Sequence, residues 1–166
     1  MPPKGVTLRP ITDADLPMLR DLYASTRAWE MSHSGWPIEQ QQEFLTNQFS
    51  YQHQSYTTNY PGATLDVVER DGESVGRLYV HRTSEELRII DICFFPQYCG
   101  QGMGGALLTE LLSEADALGV PATIHVEKFN LGAKRLYQRL GFSLKEDRGV
   151  YELLAAGQGA LRGAAE

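Results

Sequence analysis

The sequence predicts an α/β domain built on a mixed central sheet of about six or seven strands. An Asp71-Gly72 pair between two apolar runs marks an antiparallel hairpin. An apolar run from Leu87 to Phe95 leads through a glycine cluster and an amphipathic stretch to another apolar run, a strand, helix, strand unit that joins parallel strands. At 166 residues the chain suits one domain, which buries roughly 70% of its unfolded surface and needs no disulfide or metal staple.

Val6-Thr7-Leu8-Arg9 reads as a first strand. Thr12-Asp13-Ala14-Asp15 then spells a capping box, with Asp15 reaching back and Leu16, Leu19, Leu22 and Tyr23 forming the apolar stripe of the helix that follows. A second helix is expected after Pro37, carrying Ile38, Phe44, Leu45 and Phe49. Trp29 and Trp36 sit between these helices, and a polar-aromatic tract from Tyr51 to Tyr60 lies beyond them. The hairpin strands are Thr64 to Val68 and Val75 to Val80.

Leu87 to Phe95 is apolar on both alternating faces, Leu87, Ile89, Cys93 and Phe95 on one and Ile90, Ile92 and Phe94 on the other. That marks a central strand, with Asp91 as a carboxylate inside it. From Met103 the spacing of Leu107, Leu108, Leu111, Leu112, Ala115 and Leu118 is helical and stops at Gly119, with Pro121 beyond. Ala122 to Glu127 resumes as a strand, and Gly132 to Leu140 as a helix with Ala133, Leu136, Tyr137 and Leu140 on one face. The last strands, near Ser143 to Glu146 and Val150 to Leu153, are expected to form a hairpin around Asp147-Arg148-Gly149. A single domain is expected over 1–156, with 157–166 as a Gly/Ala-rich flexible tail.

Composition narrows the class of protein. The formal charge of −6 argues against a nucleic-acid partner, which selects basic faces. Nothing at the N-terminus resembles an export signal and no run approaches membrane-spanning length, so no membrane partner is expected. Cys93 and Cys99 do not have metal-ligand spacing and read as reduced thiols of a cytoplasmic protein.

Cys99-Gly100-Gln101-Gly102-Met103-Gly104-Gly105 holds four glycines in seven residues, immediately before a helix. Unpaired amides and the helix dipole converge at such a start and suit a phosphate, which glycines let the backbone approach. Gly100, Gly102 and Gly105 also satisfy the dinucleotide pattern G-x-G-x-x-G, with Glu127 downstream to meet a ribose. Against that, Pro96-Gln97-Tyr98-Cys99 separate the strand from the glycines, and too little chain follows Glu127. A P-loop is excluded, because no Gly-Lys-Ser/Thr closes the run.

Phe94 to Gly104 instead resembles the acetyl-CoA loop of the GCN5-related N-acetyltransferases (GNAT), whose core is Gln/Arg-x-x-Gly-x-Gly/Ala. Gly102 and Gly104 match the two small positions, and Cys99 departs from Gln/Arg at the first. A second block, His125 to Asn130, then Leu131 to Tyr137, then Leu140-Gly141-Phe142, is similar to the family's strand, Asn, helix, Tyr and Gly-Phe series. The resemblance implies a GNAT fold, with helices on both faces of the sheet and two parallel strands splayed to admit acetyl-CoA. It further implies pantetheine contacts along Ile92, Cys93 and Phe94, and phosphate contacts from Cys99, Gly100, Gln101, Gly102, Met103, Gly104 and Gly105. A homodimer is a frequent assembly in the family.

The implied reaction is direct attack by a primary amine, of a small molecule or a peptide, on the acetyl carbonyl. A backbone N–H such as that of Phe94 meets the oxyanion. Tyr137 matches the family's Tyr that assists the departing thiolate, and it also suits a core position. Asn130 reads equally as a helix N-cap and as a pantetheine contact. For the general base, His125, on one strand face with Thr123 and Glu127, competes with Asp91 and, more weakly, with Glu127. An acyl-CoA-binding module without turnover, acting as sensor or structural partner, is the alternative.

Overall fold

The computed structural model describes residues 4–157, so the tail expected over 157–166 lies outside the described residues from 158 onward. Among the described residues, seven strands form one sheet: β1 (Val6–Pro10), β2 (Thr64–Arg70), β3 (Glu73–Arg82), β4 (Leu87–Phe94), β5 (Ala122–Glu127), β6 (Ser143–Arg148) and β7 (Tyr151–Ala156). Their order is β1-β2-β3-β4-β5-β7-β6. Neighbours run antiparallel except β4 and β5, the pair joined by the crossover through α4 (Met103–Leu118). The sheet is therefore mixed, as the sequence predicts.

Local chemistry accounts for the elements that frame the sheet. The β2–β3 reversal is the Asp71-Gly72 turn, and both residues have the positive φ, 51° and 84°, that a tight hairpin turn requires. The Asp15 carboxylate accepts the Thr12 amide at 2.8 Å and both Arg9 Nη atoms at 2.9 and 2.8 Å. A 3₁₀ turn at Asp13–Asp15 thus feeds α1 (Leu16–Thr26). Asn130 caps α5 (Leu131–Arg139) by accepting the Ala133 amide at 3.2 Å, a cap worth about 1 kcal/mol.

Helices cover both faces. Arg77 and Tyr79 of β3 point to one side, where Tyr56 of α3 (Ile38–Asn59) meets the Tyr79 ring at 5.8 Å. Leu19 and Tyr23 of α1 pack with Phe49 of α3 on that side. Leu78 and Val80 alternate to the other face, joining Leu107, Leu108 and Leu111 of α4 and Tyr137 of α5 in the main core. No helix among the described residues is long and apolar enough to cross a membrane.

The structure gives a form to two stretches that the sequence left unassigned and corrects the position of one reversal. The polar-aromatic tract Tyr51 to Tyr60 is helical as far as Asn59, where α3 ends, because Tyr56 packs on Tyr79 and Gln52 accepts from Arg77 of β3 while Tyr51, Gln54, Ser55, Thr57 and Thr58 face outward. A short helix, α2 (Ala28–Ser32), occupies the connection that holds Trp29. The C-terminal reversal uses Gly149 and Val150 rather than Asp147-Arg148-Gly149, so Arg148 is the last residue of β6, paired with Tyr151.

The faces of β4 also differ from strict alternation. Tyr79 pairs with Asp91 but Val80 pairs with Ile89, so Ile90 is an extra residue, a β-bulge that resets the parity of the strand. Ile92 and Phe94 therefore join Leu87 and Ile89 against the main core. Asp91 and Cys93 turn to the opposite side with Arg77.

Candidate active site

The parallel strands stay together for three residue pairs, Leu87 with Ala122, Arg88 with Thr123 and Ile89 with Ile124. Past Ile89 the bulge bends β4 away, and β5 runs on to Glu127 paired only with β7, which opens a wedge between β4 and β5. The Phe95 amide donates to Val75 at 3.0 Å, and Cys93 pairs with Arg77 on the same strand. Amides alternate along an extended chain, so those of Ile92 and Phe94 point into the wedge, where no strand partners them. Gly76 lies opposite Phe94; a Cβ there would fall 2.2 Å from the Cys93 carbonyl oxygen, so only glycine lets β3 hold the end of β4 this closely.

On the α4 side the wedge opens into a cavity of about 790 Å³. It is lined by Ile92, Cys93 and Phe94, by the whole loop from Cys99 to Gly105, and by Leu108, Leu136 and Tyr137. The first α4 bond runs from the Ala106 amide to Gly102, at 3.1 Å, leaving the Met103, Gly104 and Gly105 amides without intrahelical partners. Cys99 turns its thiol back toward the Phe94 and Phe95 carbonyls, at 3.7 and 3.6 Å. Two cations absent from the sequence-based site stand beside this loop. Arg139 lines the cavity from the end of α5, and Arg70 at the end of β2 donates to the Gln101 side chain, which also holds the Gln97 carbonyl at 2.9 Å.

A second cavity of about 580 Å³ opens on the α1/α3 side. Thr26, Ile92, Cys93 and Tyr137 line both cavities, so the two meet at the free edge of β4. Asp91, His125, Glu127 and Asn130 face the second cavity together with Arg27, Glu30, Tyr56, Arg77 and Arg148. The sequence-based site residues thus divide, with the glycine loop in the first cavity, the acid–base candidates in the second, and Tyr137 at their junction. Asn130 combines its cap with a place in the second cavity rather than the first.

The electrostatics of these groups differ sharply. Arg77 is a buried cation at 3% exposure, ion-paired with Asp91 and donating to Gln52 Oε1 at 2.8 Å. Tyr137 is buried, and desolvation together with the Asp91 and Cys93 charges pushes its phenol up to about 12, so it stays protonated. The Cys93 thiol is likewise pushed up to about 12, by burial first and Asp91 second. His125 is held below its ordinary value by burial and by two guanidiniums, Arg88 at 3.2 Å from Nδ1 and Arg148 at 2.9 Å from Nε2. Glu127 has no ion pair or side-chain hydrogen bond among the described residues.

The site is thus a gap at the parallel pair of a mixed sheet, with a glycine loop and the unpartnered amides of a helix start beside it. The model of the Acetyltransferase (GNAT) family matches residues 19–142, and the chain belongs to that family. Acetyl-CoA is the acetyl donor of the family, and the free β4 edge, the open glycine loop and the amides at the start of α4 suit its pantetheine and phosphates. Among solved structures, the chain is similar to the PaiA N-acetyltransferase of Thermoplasma acidophilum in complex with coenzyme A, at TM-score 0.69 and 14% identity over 91% of this chain and 98% of that one. It is similar to an acetyltransferase from Thermus thermophilus at TM-score 0.66 and 20% identity, covering 93% of this chain and 98% of that one. A GNAT family acetyltransferase from Elizabethkingia anophelis with acetyl-CoA bound aligns at TM-score 0.61 and 18% identity, covering 93% and 99%. Comparison with curated protein sequences gives no match.

Proposed function

We propose that this chain is an N-acetyltransferase that moves an acetyl group from acetyl-CoA to a primary amine by direct attack in a ternary complex. The observation that carries this reading is the meeting of the two cavities at Ile92, Cys93 and Tyr137. A donor threaded along the glycine loop and an amine entering from the α1/α3 side come together there, at unpaired strand amides.

Acetyl-CoA supplies the activated acetyl group; the chain's own residues position it and move protons. The Phe94 amide points into the wedge and serves as oxyanion donor. Asp91 lines the acceptor cavity and serves as the base that takes the proton from the attacking ammonium, with Arg77 fixing its carboxylate. His125 is the weaker candidate, because each ring nitrogen faces a guanidinium that only donates. Tyr137 keeps its proton well past neutrality and delivers it to the departing thiolate. Cys93 holds its thiol proton too tightly for nucleophilic catalysis, which supports direct transfer over an acyl-enzyme. The two unpaired thiols suit a cytoplasmic setting.

The test is release of CoA thiol from acetyl-CoA across a panel of amines, including polyamines, amino acids and peptides. Turnover with any amine supports the reading. Tight acetyl-CoA binding without amine-dependent release would mark a binding module instead.

A further inference from the structure

His125 projects from β5 into the acceptor cavity with an arginine at each ring nitrogen, Arg88 at Nδ1 and Arg148 at Nε2. A guanidinium has donors only, and a neutral imidazole offers one lone pair and one N–H. The ring therefore accepts from one arginine and meets the other donor to donor. Protonation gives no relief, since it would set both ring nitrogens against donors.

The surroundings decide which contact is the mismatch. Arg88 is buried and fixed, with Nε donating to the Thr123 hydroxyl at 2.7 Å and Nη2 to Glu86 at 3.3 Å. The Thr123 hydroxyl in turn donates to the same Glu86 carboxylate at 3.0 Å. A buried donor held this firmly requires an acceptor, so the lone pair belongs at Nδ1 and the proton at Nε2. Arg148 is exposed at the end of β6, its other nitrogen donating to Glu146 at 3.0 Å. It can draw back from the ring, and two donors then converge on one point in the cavity with no acceptor of the chain between them.

We propose that His125 Nε2–H and the Arg148 guanidinium together bind a carboxylate of the acceptor, so that the substrate class is amines that also carry a carboxylate. This rests on the acetyltransfer reading above and adds the acceptor to it. Each arginine of the cavity has a carboxylate of the chain, Arg27 with Glu30 at 2.9 Å, Arg77 with Asp91 and Arg148 with Glu146 at 3.0 Å, but only Arg148 turns its remaining nitrogen to another donor, the His125 ring. Two donors beside the Glu146 and Glu127 carboxylates suit a monoanion better than a phosphate dianion. Glu127, on the same face of β5 and unpaired, attracts the ammonium end, and the free edge of β4 lies across the wedge.

The test uses paired acceptors that differ only in the carboxylate: amino acids and dipeptides against their C-terminal amides. Amides are expected to lose about tenfold or more in kcat/KM, and Arg148→Gln to bring the ratio within each pair toward one. Equal kcat/KM within the pairs, or a ratio that Arg148→Gln leaves intact, would overturn the proposal. If no amine is turned over, acetyltransfer fails as a reading, and carboxylate binding is scored separately by ¹⁵N NMR of histidine-labelled protein saturated with CoA. There His125 is expected as the Nε2–H tautomer, its signals moving on titration with N-acetylglycine in the wild type and not in Arg148→Gln. An Nδ1–H tautomer, or signals that do not move in the wild type, would overturn the assignment.

Discussion

Arg77 and Asp91 form an ion pair between neighbouring strands in the lining of the second cavity, and the β4 bulge at Ile90 is what turns Asp91 to face it. Had β4 alternated without the bulge, Asp91 would share a face with Leu87 and Ile89 and enter the apolar core.

Asp91→Asn is expected to lower kcat on the order of 10²–10⁴-fold. Acetyl-CoA affinity, measured by calorimetry, should change little, because the glycine loop is untouched. Each substitution breaks the ion pair, so both Asp91→Asn, which strands the buried Arg77 cation, and Arg77→Met, which strands the Asp91 carboxylate, are expected to cost stability, about 3–5 kcal/mol. Thermal melts of both variants separate that cost from the loss of kcat. An Asp91→Asn enzyme with wild-type kcat would remove Asp91 from the base role.

Tyr137→Phe keeps the ring that packs 5.8 Å from Phe142 and removes only the hydroxyl. We expect kcat to fall on the order of 10²–10⁴-fold with acetyl-CoA affinity retained. Because the phenol is pushed up to about 12, the wild-type pH–rate profile should show no loss from Tyr137 ionisation between neutrality and pH values approaching that figure. An unchanged kcat would leave Tyr137 as a packing residue only.

At Gly104 an added Cβ would lie 3.4 Å from the Phe94 ring, an ordinary contact, so the position tolerates a side chain sterically. Gly104→Asp should therefore fold, while placing a negative charge where the phosphates are expected. The predicted outcome is loss of measurable acetyl-CoA binding with a melting temperature within a few degrees of wild type; retained affinity would argue against the loop as the phosphate cradle.

Stability should fall on acidification in two stages. His53 and His125 are both held below their ordinary values, chiefly by burial, so their contribution is complete above the unfolded value of about 6.5 and is lost as pH drops below it. Asp15, held well below the usual carboxylate range by its hydrogen bonds from Arg9, adds a contribution that is lost only below about pH 4. Urea midpoints from pH 8 to 3 check the sign, and a His53→Gln, His125→Gln double variant should flatten the upper stage while leaving the lower one.

Cys99 stands where the family pattern has Gln or Arg, and the neighbouring elements place two cations nearby. Arg70 holds Gln101 within the loop and Arg139 lines the same cavity. Neither was visible in the sequence, since an arginine ending a strand or a helix has no periodic signature, and Arg70 lies 31 residues from the glutamine it contacts.

Features encoded in short windows were settled by the sequence alone. The Asp71-Gly72 reversal, the Asp15 box, the Asn130 cap and the glycine run before α4 each depend on a few consecutive residues whose backbone preferences are intrinsic. With the order of the two motif blocks, they were enough for the fold class, the family and the acetyl donor. Tertiary structure alone decided which side Asp91 faces, how far α3 runs, and that two arginines, 37 and 23 residues from His125 in the chain, close on its ring. A bulge shifts strand parity by one residue without changing composition, and a half-exposed polar helix has little amphipathic signal. The surroundings of a side chain are set by neighbours that meet only when the sheet assembles.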